Sequence, residues 1–203
     1  MRFIYFETLN STQLYLTEMI KHKRLTPPVC VWTQLQTEGI GSRGRRWIGK
    51  KGNLFFSFAY EIKHFDAPPQ SLSIYFGWIF KATLNETGSK AVMKWPNDIY
   101  LLDNKPKKIG GVITNILGDK VVCGIGLNTK FAPSEEFGSL DIDIKNDKIL
   151  KTFFDNIKLY KWNRVLDEYK EEFEKTKEIF DIEGSLVDDG GIEKNKQRIY
   201  SKR

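Results

Sequence analysis

Between residues 99 and 127 the chain passes through three apolar, β-branched segments parted by two turns too short for anything but reversal. Residues 99–102 and 109–116 flank Asp103-Asn104-Lys105-Pro106, and Gly118-Asp119 leads into Lys120–Leu127. Connections this short cannot hold the crossover that parallel strands require, so the three segments form an antiparallel meander. Any fold for this chain is built around that meander.

The remaining elements fit around it. Residues 3–6 read as a short strand, after which Asn10 or Ser11 can cap a helix with Leu14, Leu16, Met19 and Ile20 near helical spacing. Pro27-Pro28 breaks the chain, and 29–35 and 53–62 read as strands rich in β-branched and aromatic residues. Residues 68–86 present Leu72, Tyr75, Phe76, Ile79, Phe80 and Leu84 as one helical face, and 92–95 is a strand stopped by Pro96. The stretch 146–180 reads as helical, with Trp162, Val165, Leu166, Tyr169 and Phe173 in phase. After Ile182 the periodicity is lost, and the tail is at most a hairpin. At 203 residues this is one α+β domain over 1–180, a mixed and largely antiparallel sheet with packed helices, followed by a short tail over 181–203. The strand–helix alternation of a doubly wound fold is absent.

Composition removes several classes. No apolar run approaches the ~20 residues that span a bilayer, and Met1-Arg2-Phe3-Ile4-Tyr5-Phe6-Glu7 turns acidic too soon for a secretory signal. Cys30 and Cys123 are solitary and sit in apolar runs, which suits core residues in a reducing compartment, so a cytoplasmic location is expected. The net charge is +6, with basic clusters at Arg43, Arg45, Arg46, Lys50 and Lys51, at Lys105, Lys107 and Lys108, and at Lys194, Lys196, Arg198, Lys202 and Arg203. Such clusters suit polyanions in general, whether nucleic acid or a nucleoside triphosphate. The last cluster reads as solvated surface.

Residues 36–52 read as a long loop with glycines at Gly39, Gly41, Gly44 and Gly49, and such loops are uncommon without a functional reason. Gly39-Ile40-Gly41-Ser42-Arg43-Gly44 satisfies G-x-G-x-x-G, but Arg45-Arg46-Trp47 and two more glycines follow where a dinucleotide fingerprint needs a helix. Kinase and Walker A signatures are missing as well. What the loop offers is close backbone approach to an anion, forked guanidinium donors, and an indole to cover an apolar ring. Lys94-Trp95-Pro96-Asn97-Asp98 sets a cation, an amide and a carboxylate at a strand end, a set suited to a phosphate chain and its Mg²⁺. Lys108-Ile109-Gly110-Gly111 places a lysine where it can reach a carboxylate and an α-phosphate together. Gly124-Ile125-Gly126-Leu127-Asn128 ends the next strand with close-approach glycines and an amide able to read a nucleobase edge.

Together with Ser11-Thr12-Gln13, these motifs stand in the order found in biotin–protein ligases, which the chain resembles over roughly residues 3–145. The resemblance implies the class II aminoacyl-tRNA synthetase-like catalytic fold and a two-step reaction. Biotin and MgATP form biotinyl-AMP, and the biotinyl group then passes to a lysine of a biotin carboxyl carrier protein, such as an acetyl-CoA carboxylase subunit. It implies Lys108, Arg43 and Arg45 as catalytic, and Ser11, Thr12, Gln13, Gln36, Ile40, Gly41, Ser42, Trp47, Lys108 and Gly111 around biotin. Arg43, Arg45, Lys94, Asn97 and Asn128 fall to ATP, and Asp98 to Mg²⁺.

The chain departs from that pattern in three ways. Gln13 replaces an asparagine, and Ile40 and Ser42 replace arginines. By the resemblance, it is expected to start directly at the catalytic domain, without the regulatory helix-turn-helix, and to carry a short tail in place of the family's small β-barrel. The resemblance also implies pairing of two copies along a sheet edge. Two other readings are a lipoyl-type ligase acting on a related carrier domain, and a nucleic-acid binder using the basic clusters. The arginines sit among glycines and not along a helix, which counts against the second.

Overall fold

The structure, a computed structural model, describes residues 1–200; the Lys202 and Arg203 charges lie outside the described residues. Its first strand, β1 (Arg2–Phe6), is followed by helix α1 (Thr12–Lys21) and β2 (Val29–Thr33). β1 and β2 pair in parallel, with α1 as the crossover that such a pair demands. A small hairpin of β3 (Gly39–Ile40) and β4 (Arg46–Trp47) precedes β5 (Leu54–Glu61) and helix α2 (Leu72–Glu86). Then come β6 (Val92–Lys94), β7 (Asp98–Leu102), β8 (Pro106–Leu117) and β9 (Lys120–Leu127). Helices α3 (Asn146–Asn156) and α4 (Trp162–Thr176) lead to β10 (Ser185–Leu186), β11 (Ile192–Lys194) and β12 (Gln197–Ile199).

Seven strands form the main sheet in the order β1-β2-β5-β9-β8-β7-β6, with every pair antiparallel except β1–β2. Alternation divides its faces. Phe56 and Phe58 of β5, Cys123 and Ile125 of β9 and Met93 of β6 share one core with α2, α3 and α4. On the opposite face α1 lays Leu16 and Ile20 over Val29, Val31, Ala59 and Val122. That second cover is short. It leaves the strands beyond β9 open, and the amino end of α1 ends over them.

Three expectations change. Residues 36–52 are not a featureless loop but contain the β3–β4 hairpin, closed by a tight turn over Ser42–Gly44. The helical stretch 146–180 is two helices, and the second starts where Asp66 Oδ1 accepts the Trp162 amide N–H at 3.0 Å. A cap supplied by a residue 96 positions away leaves no local sign. The tail forms a three-stranded sheet, β10-β11-β12, whose Leu186 and Ile192 belong to the main core, so packing does not break after residue 180.

Candidate active site

The strand residues that look out onto the open face are in the opposite phase to the core residues. They are Ser57 on β5, Gly124 and Gly126 on β9, Gly111 on β8, and Asp98 and Tyr100 on β7, with Ser11–Gln13 of α1 above them. All ten residues expected around biotin line one cavity here, together with Ser57, Asn97 and Asp98. Its volume is about 40 Å³, room for a few waters but not for a bicyclic ring. The site is narrow in this conformation.

Its polar wall has a fixed direction. The Thr12 amide N–H donates to Gln36 Oε1 at 2.7 Å, which identifies that atom as the oxygen. The Thr12 hydroxyl therefore also donates to Gln36 Oε1, at 3.1 Å, and accepts from Ser57 Oγ at 2.9 Å. Gln13 Nε2 donates to the Val122 carbonyl at 3.0 Å and to Asn115 Oδ1 at 2.8 Å, which turns Gln13 Oε1 toward Gly124. That oxygen is buried without a partner among the described residues. A buried acceptor left unpaired costs roughly 1–3 kcal/mol, so the wall is built to receive N–H donors. Ser11 Oγ accepts the Leu14 amide N–H, which leaves its own proton free to donate.

Trp47 divides this cavity from a second one of about 340 Å³. Its indole rests on two paired glycines. A Cβ on Gly126 would come within 2.9 Å of Trp47 Cε2, and one on Gly111 within 3.2 Å of Cζ3. Lys108 and Asp98 line both cavities and pair at 2.6 Å, with the Lys108 ammonium 5.4 Å from the indole centroid. Tyr100 and Arg45 line the second cavity. Burial, reinforced by the Asp98 carboxylate, pushes the Tyr100 phenol above its ordinary range, so it stays a neutral ring.

The residues expected at the nucleotide are not all brought together. Arg45 and Asn128 line the second cavity, but the Asn128 amide already donates to the Gly138 carbonyl and accepts from Asn53, bracing the 129–138 loop. Arg43, in a left-handed conformation at φ 59°, lines a separate cavity beside Ser73, Thr114 and Asn115, away from Arg45. Asn97 donates to the Val112 carbonyl at 2.6 Å and lines the first and third cavities, not the second. Lys94 stands two strands out from Lys108, over the rings of Tyr100 and Phe180. Asp98 is a single carboxylate: no group of three or more His, Cys, Asp or Glu side chains is placed to hold a metal among the described residues.

Sequence reasoning missed Ser57, Asn115 and Phe180. A serine within the aromatic run Leu54–Glu61 and an asparagine inside β8 were visible signals, because a polar residue in an apolar strand needs a reason. Phe180 carried no such signal.

Comparison with known proteins agrees with the fold. Helicobacter pylori biotin acetyl coenzyme A carboxylase synthetase, solved with bound biotinylated ATP, superposes with a TM-score of 0.89 at 35% identity. The match covers 98% of this chain and 99% of that one. The biotin protein ligase of Aquifex aeolicus in complex with biotin and ATP gives 0.75 at 24% identity, covering 98% and 96%, and so supports the fold alone. The bifunctional ligase/repressor BirA of Salmonella typhimurium is 35% identical over 132 residues, 63% of this chain and 41% of that protein, so the chain spans well under half the length of that relative. No helix among the described residues is long and apolar enough to cross a membrane. The model of the biotin/lipoate A/B protein ligase family matches residues 5–128, more than half of the chain, and the chain belongs to that family.

Proposed function

We propose that this chain joins biotin to ATP as biotinyl-AMP and passes the biotinyl group to a lysine of a biotin carboxyl carrier protein. The observation that carries this reading is the place of Lys108: one ammonium on the boundary of two adjoining cavities, one walled for N–H donors and one large enough for a nucleotide. A biotin carboxylate oxygen attacks the α-phosphorus, the bond to the β-phosphate bridge breaks, and pyrophosphate leaves. Two unit anions ~4 Å apart repel by about 4 kcal/mol at an effective dielectric of ~20. A cation shared by both cavities removes that barrier where it arises. The carrier amine then attacks the acyl carbonyl, loses its proton, and AMP departs.

The wall supports a ureido ring. Gln13 Oε1 and the remaining lone pairs of Thr12 and Ser57 accept N–H groups, while Ser11 Oγ and Gln36 Nε2 donate to the ring carbonyl. A dithiolane would leave those acceptors unpaired, which disfavours the lipoyl reading. Trp47 covers the ring, Arg45 serves the phosphates, and Arg43 joins it only by turning from its present cavity. Mg²⁺ enters with the triphosphate; Asp98, which lines the nucleotide-sized cavity, would hold it, and the Asn97 side-chain oxygen would join it only by turning from the first cavity. One carboxylate and one amide oxygen suit an ion that takes most of its ligands from phosphate and water. We assign the catalysis to 1–180, set 181–203 in the place of the family's small barrel, and place the protein in the cytoplasm.

The test incubates the protein with MgATP, a biotin carrier domain, and either biotin or lipoate, and reads the carrier by mass. A single biotinyl addition is expected. A lipoyl addition instead would move the assignment to the alternative, and no addition with either acid would remove the ligase activity.

A further inference from the structure

Three consecutive residues, Met93, Lys94 and Trp95, are each held by a different residue of the last third of the chain. The Met93 amide N–H donates to Glu172 Oε1 at 2.7 Å, and Glu172 is itself ion-paired with Lys81 on α2. Trp95 Nε1 donates to the Gly190 carbonyl at 3.0 Å. Between them the Lys94 ammonium has no hydrogen bond and no ion pair among the described residues, although the Lys94 backbone pairs with Asp98 in the sheet. Its ammonium lies 5.1 Å from the Phe180 centroid and 5.5 Å from that of Tyr100, and the two rings pack edge to face at 5.0 Å. Phe180 is 8% exposed, Tyr100 lines the nucleotide-sized cavity, and Tyr100 lies opposite Lys108 in the sheet.

Phe180 is therefore placed to hold Lys94 without using its donors. A carboxylate in the same position would fix the ammonium but would compete with phosphate for it. Ring faces attract the cation and leave its three N–H groups available. β6 is two strands beyond β8, about 10 Å across the sheet, so Lys94 extends the line of positive charge outward from Lys108. A polyphosphate whose α-phosphate lies at Lys108 would run its terminal phosphates toward Lys94.

We propose that Phe180 is a positioning residue that, with Tyr100, holds the Lys94 ammonium ready for the terminal phosphates of the nucleotide. The part of the chain after α4 thereby serves nucleotide binding through this aromatic contact. The proposal rests on the adenylating function above, and its experiment separates the two. Biotin-dependent exchange of pyrophosphate into ATP is measured for the parent, Phe180→Leu, Phe180→Tyr, Lys94→Met and the double variant Phe180→Leu/Lys94→Met, with biotin affinity measured alone.

Leucine keeps the burial but removes the ring, so Phe180→Leu is expected to raise KM for ATP about three- to ten-fold. Biotin affinity and melting temperature should hold, and Phe180→Tyr should restore KM. In the Lys94→Met background the leucine should add nothing. Equal KM values for the leucine and tyrosine variants, or additive effects in the double variant, would overturn the positioning role. Absence of exchange in the parent would instead overturn the function on which it rests.

Discussion

The β3–β4 hairpin and, through Asn97 and Asp98, the segment from Lys94 to Asp98 line the same narrow cavity, yet they are held in opposite ways. The hairpin is two residue pairs closed by a turn with a left-handed arginine. It is tied to the body by Leu9–Gln36 strand contacts, by Arg46 on the Thr37 carbonyl, and by Trp47 lying on two glycines. The Arg43 and Arg45 guanidiniums have no hydrogen bond or ion pair among the described residues. The facing segment lies in a seven-stranded sheet and is fastened from behind by Glu172, Phe180 and Gly190. The difference separates two tasks that one wall could not serve. Cations that meet a developing charge work best when already in place, whereas a reactive mixed anhydride needs a cover that opens for substrates and shuts out water.

The largest effect should come from the fixed side. Lys108→Ala is expected to reduce pyrophosphate exchange by about a hundred-fold or more and to leave the fold intact. The unpaired Asp98 that results is a quarter exposed and can rehydrate. Exchange within a few-fold of the parent would take Lys108 out of the mechanism and with it the idea that the sheet side does the chemistry.

Gly126→Ala asks which side yields under strain. The added methyl would meet the indole of Trp47 at 2.9 Å, and either the hairpin or the sheet has to give. Overpacking of this kind costs roughly 1–3 kcal/mol. If the hairpin is the loose partner, biotin affinity falls about ten-fold with little change in melting temperature. A lowered melting temperature with biotin affinity retained would place the softness in the sheet and reverse the comparison.

Hydrogen exchange reads the same contrast without mutation. Residues 39–52 should exchange quickly alone and gain protection when biotin and nucleotide are both added, since the narrow cavity of about 40 Å³ has to widen at the hairpin to seat biotin. Residues 92–102 should be protected throughout. Equal protection of 39–52 in the two conditions would leave the cavity with no means of opening at the hairpin.

How legible the molecule is in its sequence follows the same division. The strand residues of the open face obey a period of two, so the placement of Asp98, Gly111 and Gly126 on one surface could be read from the strands that carry them. Lys108, three residues from Gly111, joins that surface only through the register shift opposite Ile99 and Tyr100. Lys120–Leu127 has the same bounds in both readings. What could not be read is whatever a remote residue decides. Asp66 starts α4, Asn115 orients Gln13 across 102 positions, and Phe180 holds Lys94 from the last residue of the expected domain. The hairpin arginines were legible as charges but not as directions. Arg43 and Arg45 are two residues apart, and the tight turn between Gly41 and Arg45 sends them to different cavities.

That divergence shapes the smallest predicted effect. Ser42 lines all three cavities, and Ile40 lines the first and third, so both stand where a guanidinium could reach a bound adenylate. A charge-assisted bond to phosphate contributes roughly 1.5–3 kcal/mol when desolvated. On an exposed and loosely held hairpin most of that is lost to screening and to ordering the side chain. Ser42→Arg is therefore expected to slow dissociation of biotinyl-AMP by only about three- to five-fold, and to reduce its leakage onto free amines by a similar factor. Measuring the adenylate off-rate in parent and variant decides it. If the rate is unchanged, the phosphate is already held, and Arg45 is the group to examine first because it lines the second cavity while Arg43 does not. Arg45→Gln would then speed dissociation in the parent where Arg43→Gln would not. That would show the fixed turn, and not the number of arginines, sets how well this cover retains the intermediate.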